Sequence, residues 1–149
     1  MTIAPEIVAA AQAAQKKWGV PSSVALAQYG LESGWGRYTP PGSNNFFGIQ
    51  ALPGLPSVAA NSHEFRDGRL VPVVEHFAVF KDANDAFDRH AELLATYRAY
   101  RYAIAQKDNP VAFAEALTGV YATAPHYGDI LIGIMKSQNL QQYDVKAGG

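Results

Sequence analysis

Apolar positions recur with a helical period at both ends of the chain and with a strand-like period in the middle. Over residues 5–18, Ile7, Ala11, Ala14 and Trp18 share one face. Pro5 suits a first helical position and Gly19-Val20-Pro21 punctuates the end, so a helix is predicted there. Ser22 and Ser23 open a second helix that runs to about Ser33 and stops at Gly34. It has no charge between Lys17 and Glu32, which predicts burial on most sides.

Residues 36–60 read as loop, punctuated by Pro40-Pro41-Gly42, Asn44-Asn45, Pro53-Gly54 and Pro56, with Phe46-Phe47-Gly48-Ile49 as an apolar island. The period then changes. His63 to Arg66, Asp67-Gly68 and Leu70 to Phe80 form a hairpin pattern, and Pro72 marks it as edge-type. Asp82 is placed to cap a helix carrying Ala86, Phe87, His90, Leu93, Leu94 and Tyr97. A short helix is predicted over Tyr100–Gln106. Asn109-Pro110 opens another, with Phe113, Leu117 and Val120, and Pro125 opens the last, with Ile130, Leu131, Ile134 and Met135. The prediction is one α+β domain over residues 1–143, mostly helical with a small β-hairpin lobe, followed by a frayed tail at 144–149. A cleft between two such lobes suits an extended ligand.

Composition narrows the function. The 149 residues are 48% hydrophobic and 17% charged, which suits a packed core rather than a disordered chain. Twelve Lys and Arg against thirteen Asp and Glu leave a net charge of -1, and no basic patch is evident, which argues against nucleic acid as partner. Cysteine is absent, so a disulfide scaffold, a zinc-thiolate site and a Cys nucleophile are excluded. No apolar run reaches the ~20 residues of a membrane span. The start, Met-Thr-Ile-Ala-Pro-Glu, lacks the basic region of a secretion signal, so synthesis in the cytoplasm without a signal peptide is expected.

Acid–base chemistry then falls mainly to the thirteen carboxylates. Most lie on helix faces, at caps, in the Asp67 turn or in the tail. Glu32 differs. It ends an uncharged helix, and Gly34-Trp35-Gly36 follows, so partial desolvation should raise its pKa and suit it to donate a proton. The plain alternative is a helix-end Glu paired with Arg37. Glu64 and Glu75 lie on the two strands, and spacing alone does not separate them as a second carboxylate; Glu64 also has Arg66 and Arg69 as possible ion-pair partners. His63-Glu64 begins like a zinc-protease motif, but Asp67 stands where the second His is needed. The four His are scattered, so ordinary structural roles, no metal and no cofactor are expected. Tyr38, Phe46, Phe47, Tyr121 and Tyr127 sit in or beside loops and helix starts, where aromatic faces could stack on sugar rings, although any single one is more often core.

Three segments, Ala27 to Gly36, Asn44 to Gln50 and Tyr121 to Tyr127, together resemble the glucosaminidase-type peptidoglycan hydrolases of glycoside hydrolase family 73. Ala27-Gln28-Tyr29-Gly30-Leu31-Glu32-Ser33-Gly34-Trp35-Gly36 is similar to their catalytic-Glu segment. Asn44-Asn45-Phe46-Phe47-Gly48-Ile49-Gln50 resembles the block downstream of it, and Tyr121-Ala122-Thr123-Ala124-Pro125-His126-Tyr127 resembles the carboxy-terminal block. The resemblance implies a lysozyme-like fold with Glu32 as general acid. It points to Glu64 over Glu75, through Ser62-His63-Glu64-Phe65, and to Tyr121 as the tyrosine that positions the substrate acetamido group. Ala124 stands where relatives commonly carry Asp. Trp35, Tyr38, Asn45, Phe46, Phe47 and Tyr127 become the candidate substrate contacts.

The implied reaction is hydrolysis of a β-1,4 bond in the peptidoglycan glycan strand. Glu32 protonates the leaving oxygen, and either Glu64 activates water or the substrate N-acetyl group attacks first. The competing readings are a muramidase or lytic transglycosylase and, in another class, a non-catalytic wall-binding module. A monomer acting on the cell wall, in the periplasm or outside the cell, is expected. It would be delivered by a holin as a phage endolysin or by a secretion apparatus as an effector, or be a piece of a larger hydrolase.

Overall fold

The computed structural model describes residues 2–146. Helix α1 spans Pro5–Trp18 with Pro at its first turn. Glu6 lies in the first turn and Lys16 and Lys17 in the last, each at the favourable end of the helix dipole. The chain turns at left-handed Gly19, whose N–H donates to Gln15 O at 2.8 Å. Helix α2, Ser22–Ser33, is buried from Ser22 through Gly30, as its lack of charge predicts. It packs against the helix at Tyr127–Ser137 and the C-terminal 3-10 turn, while α1 packs on the helix at Ala83–Thr96.

Strands β1, Ser57–Arg66, and β2, Arg69–Ala78, form a two-stranded antiparallel sheet. Asp67 and Gly68 both take positive φ, 51° and 75°, as a tight hairpin turn of this hand requires. β1 begins at Ser57, inside the stretch read as loop, because pairing with Ala78, Phe77 and His76 organises Ser57, Val58 and Ala59. The local composition of Ser and Ala hid that strand. In this register Val58, Ala60, Ser62 and Glu64 of β1 share a face with Val71, Val73, Glu75 and Phe77 of β2. Phe77 is buried, so that face turns inward at the root of the lobe.

Helix α3, Ala83–Thr96, is capped by Asp82, whose side chain accepts from Asp85 N. A 3-10 turn at Arg98–Tyr100 leads into α4, Arg101–Ile104. Helix α5, Pro110–Ala116, is capped by Asn109. It stops before Val120, where Gly119 takes a positive φ of 78°. Helix α6, Tyr127–Ser137, starts two residues after Pro125. A final 3-10 turn covers Leu140–Tyr143.

The predicted frayed tail needs correction at its start. Asp144 accepts from the N–H and Oγ of Ser23, at 2.8 and 2.7 Å, and Val145 N donates to Gln15 Oε1 at 2.9 Å. The expectation for residues 147–149 lies outside the described residues. No described helix is long and apolar enough to cross a membrane.

Candidate active site

The end of α2 shows why its sequence is so rich in glycine. A Cβ on Gly30 would lie 2.6 Å from Trp35, so the indole packs directly on the helix backbone. A Cβ on Gly36 would meet the Tyr29 hydroxyl at 2.5 Å, and Gly36 also takes a positive φ of 85°. Ser33 Oγ donates to Tyr29 O at 2.6 Å and accepts from Gly36 N at 2.9 Å, which locks the turn. Glu32 projects from this rigid corner.

Glu32 is an exposed residue, more open than a helix end buried beneath Trp35 would be. Its carboxyl is nonetheless walled by protein on one side. Burial raises its pKa above the ordinary carboxyl value, and a hydrogen bond from Tyr127 works in the opposite sense. Tyr127 Oη donates to Glu32 Oε1 at 2.9 Å. Among the described residues no cation pairs with Glu32, so the Arg37 ion pair that would make it a plain helix-end charge is not formed.

Three of the expected substrate contacts are corrected by burial. Tyr127 is 2% exposed, with its hydroxyl held between Gln28 and Glu32. Phe47 is 1% exposed and stacks on His90 with centroids 3.9 Å apart. Asn45 is 2% exposed, and its amide is fully committed. Asn45 Nδ2 donates to Ile49 O and Ala78 O, and Oδ1 accepts from Phe47 N and Ile49 N. Asn45 is therefore the clamp that ties the loop after α2 to the root of the hairpin. None of the three side chains is free to stack on a sugar ring, and Phe47 contributes only to the wall of the cavity beside Tyr121.

The others remain available to differing degrees. Tyr38 is 75% exposed. Trp35 and Phe46 are half-buried, each meeting Tyr29 edge-on. Tyr121 is half-buried, stacks on Tyr127 at 5.8 Å and donates its hydroxyl to Phe47 O at 2.8 Å. Burial raises the Tyr121 phenol well above its ordinary value, with neighbouring Tyr127 and Glu32 adding to it. A cavity of about 720 Å³ opens beside it, lined by Gly48, Ile49, Tyr97, Tyr100 and Tyr121 among others. Neither Glu32 nor Tyr127 lines that cavity; Tyr121 stands at its wall, stacked on the Tyr127 ring whose hydroxyl meets Glu32.

Glu64 lies on the inward-turned face of β1, half-buried, and pairs with Arg66 at 3.0 Å. Glu75 shares the face. Glu75 stands two residues from Phe77 at the root, and Glu64, opposite Val71, stands six away, roughly 7 and 20 Å along the strand. The hairpin thus carries two inward carboxylates at different depths.

Sequence reasoning passed over Gln28 and His90. Both are fully buried, and His90 Nε2 lies 2.8 Å from Gln28 Oε1. The available signal was a lone amide on an otherwise uncharged buried helix and a lone His on the apolar face of α3.

A helical body with a hairpin lobe, and a carboxylic acid at the end of α2, define a lysozyme-like class of fold. Residues 8–140 match the glucosaminidase family, described as mannosyl-glycoprotein endo-beta-N-acetylglucosaminidase, and the chain belongs to that family. It is 34% identical over 137 residues to an autolysin of Enterococcus faecalis, covering 86% of this chain and 19% of the relative. A protein of Lactococcus lactis subsp. lactis named "Probable N-acetylmuramidase" is 34% identical over 146 residues, covering 93% of this chain and 33% of that one. The chain thus spans a third or less of the length of these curated relatives. Among solved structures, the catalytic domain of the autolysin Auto from Listeria monocytogenes superposes with a TM-score of 0.79 at 29% identity, covering 93% of this chain and 84% of that one. The glycoside hydrolase domain of Salmonella typhimurium FlgJ, C-terminally truncated, gives 0.71 at 28% identity, covering 89% and 93%. These likenesses bear out the lysozyme-like α+β fold expected from the sequence.

Proposed function

We propose that this chain hydrolyses β-1,4 glycosidic bonds of peptidoglycan as an N-acetylglucosaminidase, with Glu32 as general acid. The carrying observation is the state of Glu32. Its carboxyl is open to a ligand, is unpaired with any cation among the described residues and has a raised pKa. Such a group keeps its proton to higher pH than an ordinary carboxyl and can pass it to a leaving oxygen. A wall-binding module has no use for that property.

In the reaction, the Glu32 proton goes to the glycosidic oxygen as its bond to the anomeric carbon breaks. Water then adds to that carbon and loses a proton. Glu64 is the proposed acceptor of that proton, supported by its place on the inward face of the hairpin. The exposed pair with Arg66 is weak enough for substrate to displace. The alternative first attack, by the substrate acetamido oxygen, would use Glu64 to steady the nitrogen. Tyr121 is proposed to seat the acetamido group at the cavity wall, and Tyr38, with the half-buried rings of Trp35 and Phe46, to pack against sugar rings.

The name carried by the Lactococcus relative favours a second reading, in which the muramic bond is cut. One experiment tests both. Purified peptidoglycan is digested and the reduced products are identified by mass spectrometry. New N-acetylglucosamine reducing ends are expected. N-acetylmuramic ends would establish the muramidase, anhydro-muramic ends a transglycosylase, and no new ends a binding module.

A further inference from the structure

Behind Glu32 lies a line of buried polar groups with no contact to solvent. His90 Nε2 is 2.8 Å from Gln28 Oε1, Gln28 Nε2 is 3.0 Å from Tyr127 Oη, and Tyr127 Oη is 2.9 Å from Glu32 Oε1. His90 and Gln28 are 0% exposed. His90 is wedged face to face on Phe47. Buried polar groups of this kind cost stability unless they are satisfied, so their presence in an apolar body calls for a reason.

The line has a definite polarity. An amide and a neutral imidazole can each be placed two ways, so the bonds could in principle run in either direction. His90 is neutral, because burial lowers its pKa to about 3. Its Nδ1 is buried and has no partner. If Gln28 donated to Nε2, the ring proton would have to sit on Nδ1, a buried N–H with no acceptor. The bare nitrogen is the cheaper orphan. The proton therefore sits on Nε2, Gln28 Oε1 accepts it, Gln28 Nε2 donates to Tyr127, and Tyr127 donates to Glu32. Every donor points at the carboxyl.

We propose that Gln28 and His90 are positioning residues for the reaction, acting through Tyr127 to hold Glu32 with Oε1 as the acceptor oxygen and Oε2 as the oxygen that carries the transferred proton. This rests on Glu32 being the general acid. A carboxylic acid hydrogen-bonded through one oxygen has its proton on the other, so the relay orients the acid as well as anchoring it. It also sets acid strength, since a donor to the carboxylate favours the ionised product of proton transfer. The other titratable groups that bear on Glu32 and Tyr127 are Tyr121 and Tyr100, both neutral phenols.

The test uses Gln28→Met, His90→Phe and Tyr127→Phe in the intact chain, singly and as doubles with Tyr127→Phe. Rates are read on purified peptidoglycan, with circular dichroism and melting as fold controls. Each of the first two is expected to lower kcat on the order of ten-fold with KM nearly unchanged. Each should also move the basic limb of the kcat/KM profile to higher pH, because the weakened donor no longer favours the carboxylate. In the Tyr127→Phe background neither should lower kcat further, and His90→Gln, which keeps an N–H, should recover part of the loss. Folded Gln28→Met with wild-type kcat and an unmoved basic limb overturns the relay, as do losses that multiply in the double variants. If His90→Phe does not fold, the Gln28→Met and Tyr127→Phe pair decides the question alone. Glu32→Gln separates the two levels: activity in that variant overturns the functional reading, whereas an inactive Glu32→Gln with neutral Gln28→Met overturns only the relay.

Discussion

Tyr127 Oη and Glu32 Oε1 are 2.9 Å apart, and the bond joins the first turn of α6 to the last turn of α2 across ninety-five residues of sequence. The two helices pack on each other, so the carboxyl is held by the body of the fold rather than by its own loop.

Glu32→Gln is expected to cut glycan hydrolysis by about 10²–10⁴-fold, the usual contribution of general acid–base catalysis, with the fold unchanged. Release of reducing ends and circular dichroism measure the two. A folded variant with near-normal cleavage would remove the proposed acid.

The same variant has a pH signature in stability. The folded-state pKa of Glu32 is raised above the ordinary value of 4.5, so the folded state holds this proton more tightly than the unfolded one. That contribution is complete below the ordinary value and is lost as pH rises through the raised one. Wild type should therefore lose melting temperature relative to Glu32→Gln over that interval, and the two should converge in acid. Activity should fall over the same range as the acid ionises. Parallel melting curves at every pH would contradict the shift.

Glu64→Gln is expected to slow turnover by roughly 10²-fold or more, while costing under about 1 kcal/mol of stability, since its pair with Arg66 is largely solvated. Glu75→Gln, nearer the root of the lobe, should keep activity. The reverse ranking would place the second carboxylate on β2.

Asn45→Ala is expected to destabilise the protein by roughly 2–4 kcal/mol, because it orphans two backbone N–H groups and removes a donor from two carbonyls. Denaturant unfolding measures it. An unfolding midpoint equal to wild type, with weakened glycan binding, would return Asn45 to the substrate.

Gly30→Ala reverses a general rule. In an exposed helix the change stabilises, but here the new methyl meets Trp35 at 2.6 Å. A loss of about 1–3 kcal/mol is expected, with a shift in Trp fluorescence as the indole is displaced. A stabilised variant with unchanged fluorescence would mean that the indole is free to move.

Local chemistry carried much of the fold and part of the site. Pro5, Gly19, Gly34, Asp82, Asn109 and the Asp67-Gly68 turn act within a few residues of themselves, so helix ends and the hairpin were legible from their neighbours. Glu32 was legible for the same reason, as the one charge closing an uncharged helix. The start of β1 was not, because Ser57, Val58 and Ala59 become a strand only when β2 lies beside them. Nor were the roles of Asn45, Phe47 and Tyr127. Their types suit a sugar site, but burial is a property of everything packed around them, and it made one a loop clamp, one a core ring and one the hydrogen-bond partner of the acid.

By itself, then, the order of residues determined which segments coil, where they stop and which carboxyl stands apart, since those depend on capping, period and local charge. Only the tertiary structure decided that Gln28 and His90 stand in line behind that carboxyl. Their contacts span sixty-two and ninety-nine positions of chain, and a hydrogen bond needs its two atoms within about 3 Å, a condition that no spacing along a sequence can express.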